Sequence, residues 1–259
     1  MKVVLFCGGM GLRLRDYSQN TPKPLVPIGY RPVLWHLMNY YAFYGHKDFV
    51  LCLGYQADAI KEYFLNYRET VSNDFILSNG GRKIEMLSED ISDWTITFVD
   101  TGLHSNIGQR LKAVEPYVKD EEFFLANYSD GLSDLPLDQY VEDFTASGKT
   151  ACFLSVRPHL VFHMIHNDRD GTVTSLQSCH EADIRINGGF FAFRRDVFDY
   201  IRDGEELVEE PFHRMIEARQ IMAFEYDGFW QAMDTFKDRQ ALEEMAARDD
   251  APWQVWKRR

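Results

Sequence analysis

The chain has 259 residues, 45% of them hydrophobic and 26% charged, with a formal net charge of −12. That composition suits a folded core and excludes a disordered polar chain, and the acidic balance argues against a nucleic-acid surface. No apolar run is long enough to span a bilayer, and the first apolar run is too short for a secretion signal, so neither membrane nor nucleic acid is an expected partner.

The first predicted element is a buried parallel strand over Val3-Val4-Leu5-Phe6-Cys7, broken at once by Gly8-Gly9-Met10-Gly11. Glycines at a strand end let bare backbone N–H groups approach a ligand, and such a nest attracts phosphate. Lys2, Arg13, Arg15, Lys23 and Arg31 stand against Asp16 alone in the first 31 residues, a basic pocket in an acidic chain. A plain strand-to-helix turn is the alternative. Lys23 tips the reading toward phosphate, because Pro22 and Pro24 stiffen the chain around one cation. The glycine spacing fits neither a dinucleotide fingerprint nor a Walker loop.

Pro32 and Gly45 bracket a helix striped by Leu34, Leu37, Met38 and Tyr41. Phe49 to Leu53 reads as a buried strand closed by Gly54, and Ile60, Tyr63, Phe64 and Tyr67 mark an amphipathic helix. A strand is expected around Trp94–Phe98, and another from Phe123 to Tyr128, ending in Ser129-Asp130-Gly131. Leu137, Tyr140, Val141 and Phe144 stripe the next helix. This alternation predicts an α/β fold: a Rossmann-like, mostly parallel mixed sheet with helices on both faces. Beyond residue 150 the strands Ala151–Val156, Val173–Leu176, Gly189–Phe193 and Ile221–Tyr226 have fewer helices between them and predict a mixed or antiparallel region capping the sheet. With no linker-like stretch, the chain reads as a single domain over 1–259. Residues to about 150 form a nucleotide-binding half and 151–259 a smaller acceptor-binding lobe.

Asp130 falls where a parallel strand ends, the place where such sheets bind ligands, though Asp-Gly is also a common turn. Asp234 precedes a helical stretch and is either a helix-end carboxylate or a second ligand for a hard cation. Asn187-Gly188-Gly189 opens an aromatic strand and is either a ligand approach or a bulge. His159, His163 and His166 lack a zinc pattern. Cys7, Cys52, Cys152 and Cys179 are far apart and read as isolated thiols in a reducing, cytoplasmic setting.

Taken together, these pieces resemble the sugar-1-phosphate nucleotidylyltransferases, whose glycine-rich loop, Pro-Lys-Pro lysine, strand-end Asp-Gly and later Asp-Thr have counterparts here. Within that family the chain looks most like the glucose-1-phosphate cytidylyltransferases. The strings that carry this are Leu34-Trp35-His36, Leu53-Gly54-Tyr55, Val99-Asp100-Thr101-Gly102, Gly108-Gln109-Arg110-Leu111, Ile186-Asn187-Gly188-Gly189-Phe190-Phe191 and Asp227-Gly228-Phe229-Trp230. The resemblance implies that a sugar 1-phosphate attacks the α-phosphorus of a nucleoside triphosphate, here CTP with glucose 1-phosphate, and releases pyrophosphate. It implies catalytic roles for Arg13 and Lys23 and Mg²⁺ held by Asp130 and Asp234. Nucleotide contacts would come from Gly8, Gly9, Gly11, Arg13, Gly54, Gly108 and Arg110. It also implies a homo-oligomer. Alternatives in view are another acceptor or base, or a regulatory paralogue that keeps the pocket without turnover.

Two departures stand out. Leu12 replaces the family's threonine, and the family's Glu-Lys-Pro segment is missing from the stretch before Asn187. Lys23, Arg185, Asn187 and Gly188 are therefore the expected acceptor contacts, with Arg185 the nearest cation to the lost lysine; surface pairing of Arg185 with Asp183 or Glu181 is the alternative.

Overall fold

A computed structural model describes residues 1–9, 21–158, 163–178 and 184–257. Its centre is one eight-stranded sheet. Strand β1 (Lys2–Phe6) lies between β2 (Asp48–Leu53) and β4 (Phe123–Tyr128), parallel to both, and β3 (Thr95–Asp100) runs parallel beyond β2. Side chains alternate across this sheet, yet both faces are apolar. Val3 and Leu5 enter one core cluster while Val4 and Phe6 enter the other, the mark of a strand covered on both sides.

Helices α1 (Val33–Phe43), α2 (Ala57–Leu65) and α4 (Leu137–Ser147) place Leu34, Ile60 and Tyr140 in the first cluster. Helices α3 (Ile107–Ala113) and α5 (Glu210–Glu217) place Leu111 and Met215 in the second. The expected layers are therefore present. Because the chain moves from β1 outward through β2 and β3, then returns to β4 on the opposite side, strand order reverses between β1 and β4. In open α/β sheets that reversal opens a crevice at the carboxyl ends of the strands.

The second half continues the sheet with mixed directions. Strand β10 (Phe191–Arg194) pairs antiparallel with β4, and β6 (Ala151–Val156) pairs antiparallel with β10. On its far side β6 takes β11 (Ile221–Tyr226) in parallel. The short strand β9 (Ile186–Asn187) continues the line of β10 along β6, after a break at Gly188–Phe190.

Two expectations are corrected. The strand expected over Gly189–Phe193 begins only at Phe191, because Gly189 and Phe190 both have positive φ, 74° and 47°. The expected strand at Val173–Leu176 does form, as β8 (Val173–Ser178), but it pairs with β7 (His163–Asn167) in a hairpin apart from the main sheet. Its residues Ile165, Val173 and Leu176 are exposed, so no core draws it onto the sheet. A second hairpin, Phe75–Ser78 with Lys83–Met86, went unforeseen. Strand β5 (Gly131–Ser133) pairs antiparallel with β12 (Trp230–Ala232), and helix α6 (Phe236–Ala247) follows.

Candidate active site

At the β1/β4 reversal lies a cleft of about 490 Å³, its wall including Gly9, Lys23, Ser129, Asp130, Glu206 and Asp234. Lys23 opens a single 3-10 turn, Lys23–Leu25, preceded by extended Pro22 and tied by Leu25 N–H to the Pro22 carbonyl at 2.8 Å. The two prolines limit the turn's freedom, so a long flexible side chain starts from a stiff base.

The ammonium of Lys23 donates to the carboxylates of Asp130 and Asp234, the latter at 2.8 Å. These carboxylates are about a hundred positions apart in sequence. They meet because the β5–β12 ladder pairs Gly131 with Ala232, and Met233 N–H then donates to the Asp130 carbonyl at 2.9 Å. Asp234 does not cap α6, since Thr235 does so with a capping box to Asp238. The helix-end alternative is thereby set aside. Burial of Lys23 disfavours its charge, but Asp130 and Asp234 outweigh that and raise its pKa above the ordinary lysine value.

Two hard oxygen donors from separate elements converge on one cation, which is the donor chemistry that Mg²⁺ takes. One ammonium against two carboxylates leaves the cluster net negative, and Glu206 adds a further carboxylate to the wall. A polyanion entering this cleft needs an accompanying cation. The residues present fit a divalent ion.

Arg110, an expected nucleotide contact, lines the cleft and has a structural role as well. Its guanidinium is buried and donates to the carbonyls of Gly8 (3.1 Å), Leu53 (3.1 Å) and Gly102 (3.0 Å) and to the Thr101 hydroxyl (2.7 Å). It thus ties together the carboxyl ends of β1, β2 and β3. Gly8 and Gly54 belong to the same arrangement. A Cβ at Gly8 would lie 2.1 Å from this guanidinium, and one at Gly54 would lie 2.8 Å from it, so both glycines make room for arginine. A Cβ at Gly108 would meet the Glu205 carbonyl oxygen at 2.2 Å, so that glycine admits the 205–207 segment against α3. Gly9 alone of the described loop glycines faces open space at the cleft. Gly11 and Arg13 lie outside the described residues, as does Cys179.

The structure separates the expected acceptor residues. Arg185 donates to Asp227 at 2.9 Å and to the Ser155 carbonyl at 3.1 Å, and it pairs with Glu225 at 3.3 Å. It sits at the β6–β11 end and does not line the cleft of Lys23. Among the described residues its carboxylate partners are thus Glu225 and Asp227, while Glu181 and Asp183 lie outside the described residues. Gly188 is enclosed: its N–H donates to the Leu154 carbonyl at 2.7 Å, and its carbonyl accepts from the Trp230 indole at 2.8 Å. Asn187 does not line the cleft either, but its side chain accepts from Gly189 N–H at 2.9 Å, and Gly189 lies against Tyr128, a cleft residue, whose ring a Cβ there would meet at 3.0 Å.

Sequence reasoning missed Glu206, which accepts from Ile107 N–H at 3.3 Å and Leu207 N–H at 2.9 Å, and the Asn106–Gln109 capping box that shapes the wall beside it. The string Asn106-Ile107-Gly108-Gln109 carried that capping signal. Among the described residues no group of three or more His, Cys, Asp or Glu side chains could hold a metal, and His163 and His166 stand on β7 away from the cleft.

With this geometry in place, similarity to known proteins can be stated. The nucleotidyl transferase family matches residues 2–241. The chain is 40% identical to a glucose-1-phosphate cytidylyltransferase of Salmonella typhimurium over 99% of this chain and 100% of that one. It is 34% identical, over the same shares, to a probable glucose-1-phosphate cytidylyltransferase of Bacillus subtilis. In fold it is similar to a putative glucose-1-phosphate thymidylyltransferase of Bacillus anthracis, with a TM-score of 0.69, 17% identity and 95% of each chain covered.

Proposed function

This chain belongs to the nucleotidyl transferase family, and we infer that it joins CTP to glucose 1-phosphate with release of pyrophosphate. The observation that carries the inference is 40% identity along the whole length of a glucose-1-phosphate cytidylyltransferase. The Lys23–Asp130–Asp234 cluster at the strand-order reversal supports an enzyme over a regulatory paralogue, since binding alone has no need of two carboxylates facing a nucleotide's phosphates.

Phosphoryl transfer of this kind asks the protein for position and charge, not for covalent work. Lys23 would hold its ammonium between the α-phosphate and the incoming sugar phosphate, placed there by the proline-flanked turn. Asp130 and Asp234 would hold Mg²⁺, which when bound neutralises phosphate charge and aligns nucleophile with leaving group. Arg13 and Gly9 belong to the same reading on the nucleotide side, and Asn187 on the acceptor side. Arg110 lines the cleft on that nucleotide side while bonding the strand ends, and Gly8, Gly54 and Gly108 make the close approaches this needs.

One sheet draws strands from both halves, which supports a single domain. None of the described helices is long and apolar enough to cross a membrane. Cys7, Cys52 and Cys152 are buried thiols, consistent with the cytoplasmic setting we propose. We also retain the homo-oligomer, because Leu77 and Ile84 face each other across the 75–86 hairpin and are both exposed, and size-exclusion chromatography tests it.

The function is tested by measuring pyrophosphate release from CTP, UTP, dTTP, ATP and GTP, each with glucose 1-phosphate and with other sugar phosphates. Release with CTP and glucose 1-phosphate well above the other pairs is the expected result. Comparable rates with another nucleotide would overturn the cytidylyl assignment and leave the family intact.

A further inference from the structure

In the stretch Gly188-Gly189-Phe190, next to the cleft residue Tyr128, the backbone has positive φ at both Gly189 and Phe190. Phe190 is a fully buried aromatic residue held at φ 47°, in the left-handed region that side chains rarely adopt. Such a conformation persists only where surrounding groups over-determine it, and it points to function when it lies next to a site. All six backbone polar groups of the three residues are engaged. Gly188 N–H and Gly189 carbonyl meet Leu154, Gly188 carbonyl meets Trp230, and Gly189 N–H meets the Asn187 side chain at 2.9 Å. Phe190 carbonyl accepts from the Tyr140 hydroxyl at 2.5 Å.

The remaining group, Phe190 N–H, donates to the side-chain oxygen of Asn127 at 3.0 Å. The β4–β10 ladder pairs Ala126 with Phe191, so the next rung would join the backbones of Asn127 and Phe190. Left-handed Phe190 turns out of that rung, and the Asn127 amide stands in for it. Asn127 is itself 1% exposed, and its amide nitrogen donates to the Tyr41 hydroxyl at 3.1 Å. A Cβ at Gly189 would lie 2.6 Å from the same Asn127 oxygen, so that glycine is required by the asparagine.

We propose that Asn127 is a positioning residue for the acceptor half of the active site. By holding Phe190 left-handed it sets the Asn187–Gly189 turn, and that turn orients Asn187 and holds Gly189 against the ring of Tyr128 at the cleft wall. Asn127 touches no substrate in this account; it acts through the turn. The proposal rests on the cytidylyltransferase reading above.

The test is steady-state kinetics on the full chain, with separate Michaelis constants for CTP and glucose 1-phosphate. Asn127→Leu removes the acceptor for Phe190 N–H at similar volume. It should raise the constant for glucose 1-phosphate about tenfold while that for CTP moves less than about twofold, since small misplacements of a binding group are costly. Tyr140→Phe frees the carbonyl of the same residue from outside the cleft and should give the same split, more weakly. It also keeps the test decisive where Asn127→Leu fails to fold. The double variant should fall short of the product of the two effects, because both act on one turn. Equal shifts in both constants, or a lowered melting temperature with both constants unchanged in Tyr140→Phe, would overturn the positioning role alone. An unmodified enzyme that releases no pyrophosphate from CTP and glucose 1-phosphate would overturn this proposal together with the reading it rests on.

Discussion

The two sides of the cleft are built by different means. On the side proposed for the nucleotide, parallel strands β1, β2 and β3 end together, and one buried arginine, Arg110, bonds the backbone at all three ends. On the acceptor side the sheet turns antiparallel, and a distorted turn at Gly188–Phe190 is held by side chains from Asn127, Tyr140 and Trp230. The first is a rigid edge closed by one polar group. The second is a shape spread over several elements, one of them the β5–β12 ladder that also brings Asp130 and Asp234 together.

The largest effect should come from breaking the nucleotide edge. Arg110→Met strands several buried carbonyls and should cost on the order of 3–5 kcal/mol of stability, as loss of a buried charged hydrogen-bond partner does. Urea denaturation measures it. A stable variant with a selectively raised Michaelis constant for CTP would instead make Arg110 a ligand group.

A smaller effect tests where the halves meet. His36 on α1 donates from Nε2 to the Ile28 carbonyl at 3.0 Å and accepts at Nδ1 from the Trp253 indole at 3.3 Å, joining the C-terminal segment to the first half. Burial lowers its pKa from 6.5 to about 4. Between those values the unfolded chain binds a proton that the folded chain refuses. Stability is thus complete above about pH 6.5 and falls as pH drops toward 4, by on the order of 3 kcal/mol. Half-buried His46, held down to about 4 by burial, adds in the same direction. His36→Gln should flatten most of this slope in denaturation series at pH 7 and 4.5; an unchanged slope would place the acid-sensitive contact elsewhere.

The smallest effect concerns Arg185. Its partners Glu225 and Asp227 are 70% and 65% exposed, so the pairing is worth less than about 1 kcal/mol. Arg185→Ala should leave both Michaelis constants within about twofold of the unmodified enzyme. A selective rise for glucose 1-phosphate would restore Arg185 to the acceptor site and break the contrast drawn between the two sides.

What was legible in the sequence follows the same division. Lys23 and Asp130 could be found because each sits in a short string whose backbone is stiff or strand-ending, and neighbours alone define such places. The parallel half was visible for a related reason, since strands buried on both faces write continuous apolar runs. Arg110 was noticed, but its structural role was not legible: its partners are strand ends up to 102 positions away, and no local pattern says that a guanidinium will gather carbonyls from three strands. Asn127 was invisible within an apolar strand, because its role depends on the register between β4 and β10. The 75–86 hairpin was missed because Phe75, Ile76 and Leu77 form a short apolar run that is exposed, so no alternation marks a buried face.

The account stands most directly on the carboxylate pair facing Lys23, and the rate of pyrophosphate release by Asp234→Asn measures it. Asparagine keeps the shape and a hydrogen-bonding oxygen near the ammonium while removing the charge. Turnover with CTP and glucose 1-phosphate at saturating Mg²⁺ should fall about 100-fold, the usual consequence of losing one electrostatic stabiliser, with the melting temperature little changed. Turnover within about twofold of the unmodified enzyme would mean that the reaction is not organised at this cluster.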